Sequence, residues 1–434
     1  MKRKRSPMKF SLLASLPVAL LLVALTAASG CGGKTEAPSV GLPGSPPAGE
    51  VNSYIGQPGD SPSNSLWSAT IDRSNNTYSY GPTSGGTPAT TGSIATPTSN
   101  VVILLGPNGY QSGLAVEVPG QAIILRPGNS TAPLVFAVQQ ASCFAIGGNQ
   151  KLLYVLSPGL SGPNTAFFGE IYAATSSDGS NWQFNNQTNF ISPYEFDVDE
   201  HSDVPAEAVF PGYPGAYSAT CTTAGGAASV SASPMAYFNE GTNSYPVPTQ
   251  FVISPAGLFF ENQSYMNVPA TEGWPYPNVS AWGVGEPGAP LLTSFVATAN
   301  YIGFLFEYNV ASSIFRTRLV GFGNAPVSGT VMQGGTYPNE DPTQSPTINM
   351  SVTFNSQDPL NNGVYYLAQL TIANDAPSTF TGSCLSYGLS QSGSSTCTND
   401  GVVTVGDENG QYTIVMSASD ASGDQETLVL FQQQ

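Results

Sequence analysis

The chain has 434 residues with 11 basic and 28 acidic side chains, and five of the basic ones lie within the first nine residues. The rest of the chain therefore carries six basic against 28 acidic residues, a formal net charge of −22. This balance excludes a nucleic-acid binder that follows phosphates with a basic face. With 40 % apolar residues and a length of two or three typical domains, the chain can build sizeable cores.

Residues 1–30 have the layout of an export signal, because a basic start is followed by an uncharged apolar run at 10–28. Ala28-Ser29-Gly30-Cys31 then resembles the lipobox of bacterial lipoproteins, with Ala28 where Leu is usual. The resemblance implies that Cys31 is diacylated and becomes the new N-terminus, and that Gly32 directs a Gram-negative lipoprotein to the outer membrane. An uncleaved membrane anchor and a plain secretory signal are the alternatives.

Residues 31–50 show no periodicity and are rich in Gly and Pro, which predicts a flexible tether. Two acyl chains on Cys31 would give stable anchoring where one would not. We therefore expect an exported protein that is anchored in the membrane by its N-terminal lipid. The sequence does not determine on which face of the membrane the protein lies.

From residue 51 onwards, apolar and polar residues alternate in short runs that end at turn residues. Trp67, Ala69 and Ile71 would share one strand face, and Pro119-Gly120 suits the centre of a type II turn. Asn409-Gly410 is a strong hairpin signal. Some twenty such strands joined by tight turns must be antiparallel. The pattern predicts an all-β fold made of antiparallel sandwich or up-and-down barrel modules.

The stretch 195–230 has little alternation and predicts a domain boundary, which divides the folded part into modules 51–227 and 228–434. A single continuous β structure is the alternative, because no linker interrupts the chain. Blocks such as SLWSATID, AVEVPGQAIILRPG and NYIGFLFEYN are similar to blocks of uncharacterised bacterial lipoproteins. This resemblance implies neither an activity nor a catalytic residue.

Four cysteines remain if Cys31 carries lipid, and an even number in an exported chain predicts two disulfides. Of the three possible pairings, we expect Cys143–Cys221 and Cys384–Cys397, because each pair then lies within one module. A metal site is the rival interpretation, although the chain has a single histidine and no CxxC spacing. No motif calls for a cofactor.

The densest acidic cluster spans residues 195–203, where Asp197, Asp199 and Asp203 would share one side of an extended strand with His201. The spacing begins like an EF-hand loop, but the Gly and the final Glu of that loop are missing. We expect a solvated acidic loop, with calcium binding as the alternative. His201 could serve as a general base, although no G-x-S-x-G segment supplies a nucleophile.

Aromatic residues concentrate beside prolines at Trp274, Tyr276 and Trp282, where exposed rings could stack on sugars. Packing of these rings over the end of a barrel is the alternative. The sequence thus favours a binding or scaffold module of the cell envelope over an enzyme, with a carbohydrate or an envelope component as the partner. A hydrolase with paired carboxylates and a β-barrel carrier of a small apolar ligand are the competing functions.

Overall fold

The computed structural model describes residues 51–58, 66–83, 89–132, 134–156, 169–186, 216–224, 226–240, 243–254, 258–264, 278–285, 299–309, 314–323, 331–354, 364–373, 396–408, 411–419 and 425–433. Twenty-four strands in these residues form three closed antiparallel sheets of eight consecutive strands each, which confirms the predicted all-β fold. A 3-10 turn, η1, covers Pro338–Glu340. The described residues contain no helix with the length and apolar character of a membrane span.

The strands follow one another along the chain, and in each sheet the first strand also pairs with the last. Barrel 1 comprises β1 (Val51–Pro58), β2 (Trp67–Asp72), β3 (Thr77–Pro82), β4 (Thr90–Ala95), β5 (Val101–Leu105), β6 (Gln111–Val118), β7 (Ala122–Pro127) and β8 (Val135–Gln139). Barrel 2 comprises β9 (Ile146–Leu156), β10 (Gly169–Ser176), β11 (Asn181–Asn186), β12 (Ala216–Ala224), β13 (Ala227–Glu240), β14 (Asn243–Ile253), β15 (Leu258–Ser264) and β16 (Asn278–Gly285). Barrel 3 comprises β17 (Tyr301–Asn309), β18 (Ile314–Phe322), β19 (Val331–Thr336), β20 (Met350–Thr353), β21 (Val364–Ala373), β22 (Thr396–Glu408), β23 (Gln411–Ser419) and β24 (Gln425–Gln432).

The turns between consecutive strands explain why the sheets are up-and-down. At Pro119-Gly120 the Gln121 amide donates to the Val118 carbonyl over 2.9 Å, and Gly120 has a φ of 75°, as the predicted type II turn requires. Asn76 closes the β2–β3 turn with a φ of 54°, a conformation that Asn tolerates better than most residues.

The edges of the three barrels do not coincide with the predicted modules 51–227 and 228–434. Residues 227 and 228 belong to β13, where Ala227 pairs with Ala224 and Ala228 with Thr223 of β12. The boundary therefore falls inside a hairpin of barrel 2.

Alternation along the strands of barrel 1 separates an inner from an outer face. Ala115 of β6 belongs to a cluster inside the barrel, to which all eight strands contribute. Its neighbours Leu114, Val116 and Val118 point outward and are also buried. These three belong to a second cluster shared by the outer faces of all three barrels. Strands β6–β8 are thus apolar on both faces because barrel–barrel packing covers the side that would otherwise meet water.

Barrel 3 is built in the same way. Its interior is filled by a cluster drawn from all eight strands, including Leu305 of β17, Leu370 of β21 and Ile414 of β23. The alternate positions Ile302, Phe304 and Phe306 face the shared outer cluster. The three barrels therefore pack through their walls around one common apolar core.

Candidate functional site: a cleft between barrels 1 and 3

A cleft of about 560 Å³ opens where the ends of barrels 1 and 3 meet. This volume is within the range of small-ligand sites, which extends from about 300 to about 1,000 Å³. The described residues that line it come from one short stretch of barrel 1 and several of barrel 3: Thr98, Ser99, Asn100, Asn300, Tyr301, Gly321, Phe322, Gly323, Gln333, Gly334, Tyr337, Pro342, Gln344, Ser345, Pro346, Ile348 and Gln433.

The floor of the cleft depends on glycines in β18 and β19. A β-carbon placed on Gly321 would lie 2.5 Å from the Tyr337 hydroxyl oxygen, and one on Gly334 would lie 2.4 Å from the Phe322 ring. The absence of these β-carbons lets both rings lie against the sheet. Burial raises the pKa of Tyr337, whose hydroxyl is hydrogen-bonded to the Gln433 side chain. The phenol therefore stays protonated and neutral at physiological pH.

The lip of the cleft is the segment 341–348, which follows η1. The Asp341 carboxylate accepts hydrogen bonds from the Thr343 hydroxyl at 2.6 Å, the Thr343 amide at 3.0 Å and the Gln344 side chain at 2.8 Å. These donors, led by the Thr343 hydroxyl, hold the pKa of Asp341 below its ordinary value. Ile348 belongs to the lip and is 62 % exposed.

The opposite side of the cleft is the wall loop, residues 98–100, which leads into β5. The Val101 amide donates to the Thr98 hydroxyl oxygen at 3.1 Å, and the Ser99 hydroxyl donates to Asn100 Oδ1 at 3.0 Å. Asn100 is buried and donates through Nδ2 to the backbone carbonyl of Glu117 at 3.0 Å. In return, the Glu117 amide donates to the Asn100 carbonyl at 2.7 Å. The wall loop is thus fixed to β6.

Behind the wall loop, a cluster of polar side chains occupies the end of the barrel 1 interior. Glu117 is fully buried, and its Oε1 accepts hydrogen bonds from Asn52 at 2.9 Å and from the Tyr54 hydroxyl at 2.5 Å. Its Oε2 lies 2.6 Å from Arg73 Nη2, and the same nitrogen donates to the Ser99 carbonyl at 3.0 Å. Burial, and then the charge of Glu117, raise the pKa of Tyr54 well above its ordinary value, so Tyr54 remains a donor.

A second ion pair joins barrel 1 to the lip side of the cleft. Arg126 of β7 points outward and is 1 % exposed, and its two terminal nitrogens hydrogen-bond the two carboxylate oxygens of Glu340 in η1. It also donates to the Thr317 carbonyl at 3.2 Å and lies 5.6 Å from the centre of the Phe304 ring. Because Glu340 immediately precedes the lip, this contact fixes the lip relative to barrel 1.

The chemistry of the cleft is neutral and rich in hydrogen-bonding groups. The described lining carries five side-chain amides, several hydroxyls and three glycines, and none of its members is charged. A side-chain amide carries two donor hydrogens and an acceptor oxygen, and Asn300 and Gln333 could present them to a ligand with many hydroxyls, whereas Asn100 already bonds to Glu117 and Ser99. Among the described residues, no group of three His, Cys, Asp or Glu side chains could hold a metal ion.

The residues singled out from the sequence lie elsewhere or outside the described stretches. Cys143 and Cys221 form a disulfide that ties the connection between barrels 1 and 2 to β12. Trp282 belongs to β16, where its backbone pairs with Phe260 and Leu156, and Cys397 belongs to β22, paired with Ile372. The following fall outside the described residues: Cys31, Asp197, Asp199, His201, Asp203, Trp274, Tyr276 and Cys384.

The sequence predicted neither the cleft nor the polar cluster behind it. Glu117 did leave a signal, since it alternates with Ala115 and therefore faces the interior of an apolar barrel. The cleft residues left none, because polar loop residues from distant stretches resemble any other surface loop. The chain matches no protein-family model, and searches of the curated proteins and of the solved structures found no significant match.

Proposed function

We propose that the protein is a lipid-anchored binding module of the bacterial cell envelope, and that the cleft between barrels 1 and 3 binds a neutral, hydroxyl-rich ligand of the oligosaccharide class. Cys31 would carry the lipid, and residues 31–50 would serve as the tether. The sequence suggested that a carbohydrate would bind at the aromatic segment 274–282, whereas the site proposed here is the cleft between barrels 1 and 3.

The observation that carries this proposal is the composition of the cleft. Asn and Gln side chains can engage neighbouring hydroxyls as donor and acceptor at once, and the cleft is lined by Asn300, which immediately precedes β17, and by Gln333 of β19. The buried rings of Phe322 and Tyr337 supply an apolar floor, as is usual in small-ligand sites. Lack of charge among the described lining residues disfavours a phosphate or a carboxylate ligand.

The competing functions find less support. A carrier needs an unfilled barrel, whereas barrels 1 and 3 are packed with buried side chains. At one end of barrel 1, Trp67 stacks on Tyr80 with ring centres 6.0 Å apart, so aromatic side chains occupy space that an apolar ligand of a carrier would need. A hydrolase with paired carboxylates needs two of them facing its substrate, and the described lining of the cleft contains neither Asp nor Glu.

Calorimetric titration of the full chain in detergent with maltotriose, cellotriose and triacetylchitotriose tests the proposed ligand class. We expect at least one of these neutral trisaccharides to bind. Gln333→Ala should weaken that binding about tenfold, because the amide loses its hydrogen bonds to the ligand. Gln183→Ala is the matched control, since Gln183 is also a half-buried strand glutamine and pairs with Ser218 in barrel 2.

The proposal would be contradicted if none of the three trisaccharides bound, or if Gln183→Ala weakened binding as much as Gln333→Ala. Binding of an extended peptide in place of all three sugars would contradict the ligand class.

The anchoring part of the proposal has its own test. Cys31→Ala should release the protein from the membrane fraction, because a lipid cannot be attached at Ala. Cys384→Ala is the matched control and should stay with the membranes. A Cys31→Ala protein that still sediments with membranes at full length would show that residues 10–28 act as a permanent anchor.

A further inference from the structure

A guanidinium group connects the wall loop of the cleft to the buried carboxylate of Glu117 in barrel 1. Arg73 Nη2 donates to the Ser99 carbonyl of the wall loop at 3.0 Å and to Glu117 Oε2 at 2.6 Å. Arg73 itself lies at the end of β2, in the turn to β3, and its side chain is 14 % exposed. One nitrogen atom therefore joins a ligand-facing loop to a fully buried carboxylate.

Glu117 is held in turn by groups that cannot move far. Its Oε1 accepts from Asn52 and Tyr54 of β1, and the Tyr54 hydroxyl oxygen accepts from the Gly120 amide at 3.0 Å. The backbone of Glu117 exchanges hydrogen bonds with Asn100 in both directions, one of them through the Asn100 side chain. Strands β1 and β6 and the β2–β3 turn thus meet at one carboxylate, and all three determine where the wall loop sits.

The ion pair between Arg73 and Glu117 is better explained by the position it gives the wall loop than by a gain in the stability of barrel 1. A buried ion pair is often no more stabilising than a well-packed apolar group of the same volume, and its best-attested benefit is to specify one arrangement. The buried cluster that fills the barrel 1 interior is apolar and aromatic. A buried ion pair beside it, in contact with the wall loop, fits a requirement to place that loop accurately.

We infer that Arg73 and Glu117 are positioning residues of the cleft, which hold the wall loop in its binding conformation without contacting the ligand. This inference rests on the proposed function of the cleft. A preformed wall spares the ligand the cost of ordering the loop, so its loss should appear mainly as weaker binding.

The test compares affinity with local opening of the wall loop in the full chain. Arg73→Met should raise the dissociation constant of the tightest of the three trisaccharides about tenfold or more, and should speed hydrogen exchange at the Val101 and Glu117 amides. Arg73→Lys should keep the dissociation constant and the exchange rates within about threefold of the wild-type values, because an ammonium group has donors for the Ser99 carbonyl oxygen and for Glu117 Oε2. Arg316→Met is the matched control, since Arg316 is ion-paired with Glu307 in barrel 3 and lies outside the cleft lining.

If Arg73→Met leaves an uncompensated carboxylate and fails to fold, the double variant Arg73→Met, Glu117→Gln removes both charges and should show the same loss. The inference is overturned if exchange at Val101 and Glu117 is unchanged, if Arg73→Lys and Arg73→Met behave alike, or if Arg316→Met weakens binding equally. Failure of the wild-type protein to bind any trisaccharide contradicts the proposed function instead, and the exchange measurement still decides whether Arg73 fixes the loop.

Discussion

Barrels 1 and 3 each keep a buried glutamate with an arginine partner inside an otherwise apolar barrel, but the two ion pairs have different surroundings. In barrel 1, Glu117 is surrounded by neutral donors and one arginine, and the cluster touches the wall loop. In barrel 3, Glu307 binds Arg316 through both carboxylate oxygens and Arg318 through one, and it is paired across the sheet with Glu426.

The positions of the two clusters along their barrels explain the contrast. Glu307 lies six residues along β17 from Tyr301, which lines the cleft, so the barrel 3 cluster is about 20 Å away from it. Two glutamates and two arginines there balance in charge and occupy the end of the barrel. Ion pairs of the same kind therefore occupy the far end of barrel 3 and hold the wall loop of the cleft in barrel 1.

The largest expected effect on stability is in barrel 3. Glu307→Ala would remove a buried carboxylate that accepts three charge-assisted hydrogen bonds from two partly exposed arginines, at a cost of about 3 kcal/mol in the free energy of unfolding. Denaturant titration would measure this cost. At denaturant concentrations where the variant is still folded, trisaccharide binding should be unchanged. A loss of binding in the folded variant would mean that the barrel 3 cluster supports the cleft as well.

Glu117→Ala should show the reverse pattern. It leaves the Tyr54 and Asn52 donors without their acceptor, at a cost of about 1–3 kcal/mol, while the partly exposed Arg73 can turn to water. Binding should nevertheless fall more than about tenfold, because the wall loop loses its support. Denaturant titration would measure the loss of stability and calorimetry the loss of trisaccharide binding. If Glu117→Ala lowered stability without weakening binding, the two clusters would have the same, purely structural role.

Gly321→Ala probes the barrel 3 side of the cleft alone. The added methyl group would meet the Tyr337 hydroxyl, so the ring must leave the floor at a cost of about 1–3 kcal/mol. We expect weaker trisaccharide binding with unchanged exchange at the wall loop. Gly109→Ala is a control for a glycine with open space around it, although its φ of 74° adds backbone strain. Equal binding by Gly321→Ala and the wild type would argue against this floor.

The smallest effect concerns the lip and pH. The hydrogen bonds to the Asp341 carboxylate lower its pKa, so they stabilise the folded lip above the ordinary pKa and are lost as the pH falls through the lowered value. Binding should therefore hold from neutral pH down to about pH 4 and weaken only below it. In Asp341→Ala, trisaccharide affinity should no longer fall between about pH 4 and lower pH. If the affinity of that variant still fell with acid, a group other than Asp341 would be responsible.

Much of the architecture could be predicted from the sequence, because period-two alternation and turn dipeptides are local signals. The face shared by Trp67, Ala69 and Ile71 and the turn at Gly120 are examples. The predicted boundary near residue 228 depended on a lack of alternation, which is equally compatible with a linker and with a hairpin such as the one between β12 and β13.

The cleft could not be predicted for a different reason. Its walls come from residues near 98, 300, 321, 342 and 433, and nothing local shows that the ends of two barrels meet there. Glu117 and Glu307 were visible as single charges on apolar strands, yet only the closed barrels show that one adjoins the cleft and the other does not. Arg126 gave no sign that it would pair with a residue 214 positions away.

The central claim is that one ligand bridges barrels 1 and 3, and hydrogen exchange with and without the bound trisaccharide tests it most directly. We predict that the ligand slows exchange on both sides of the cleft together, at the Val101 and Glu117 amides of barrel 1 and at the Gly323 and Asn349 amides of barrel 3. Exchange around Glu307, at the far end of barrel 3, should not change. Protection confined to one barrel, or centred on another part of the molecule, would contradict the account.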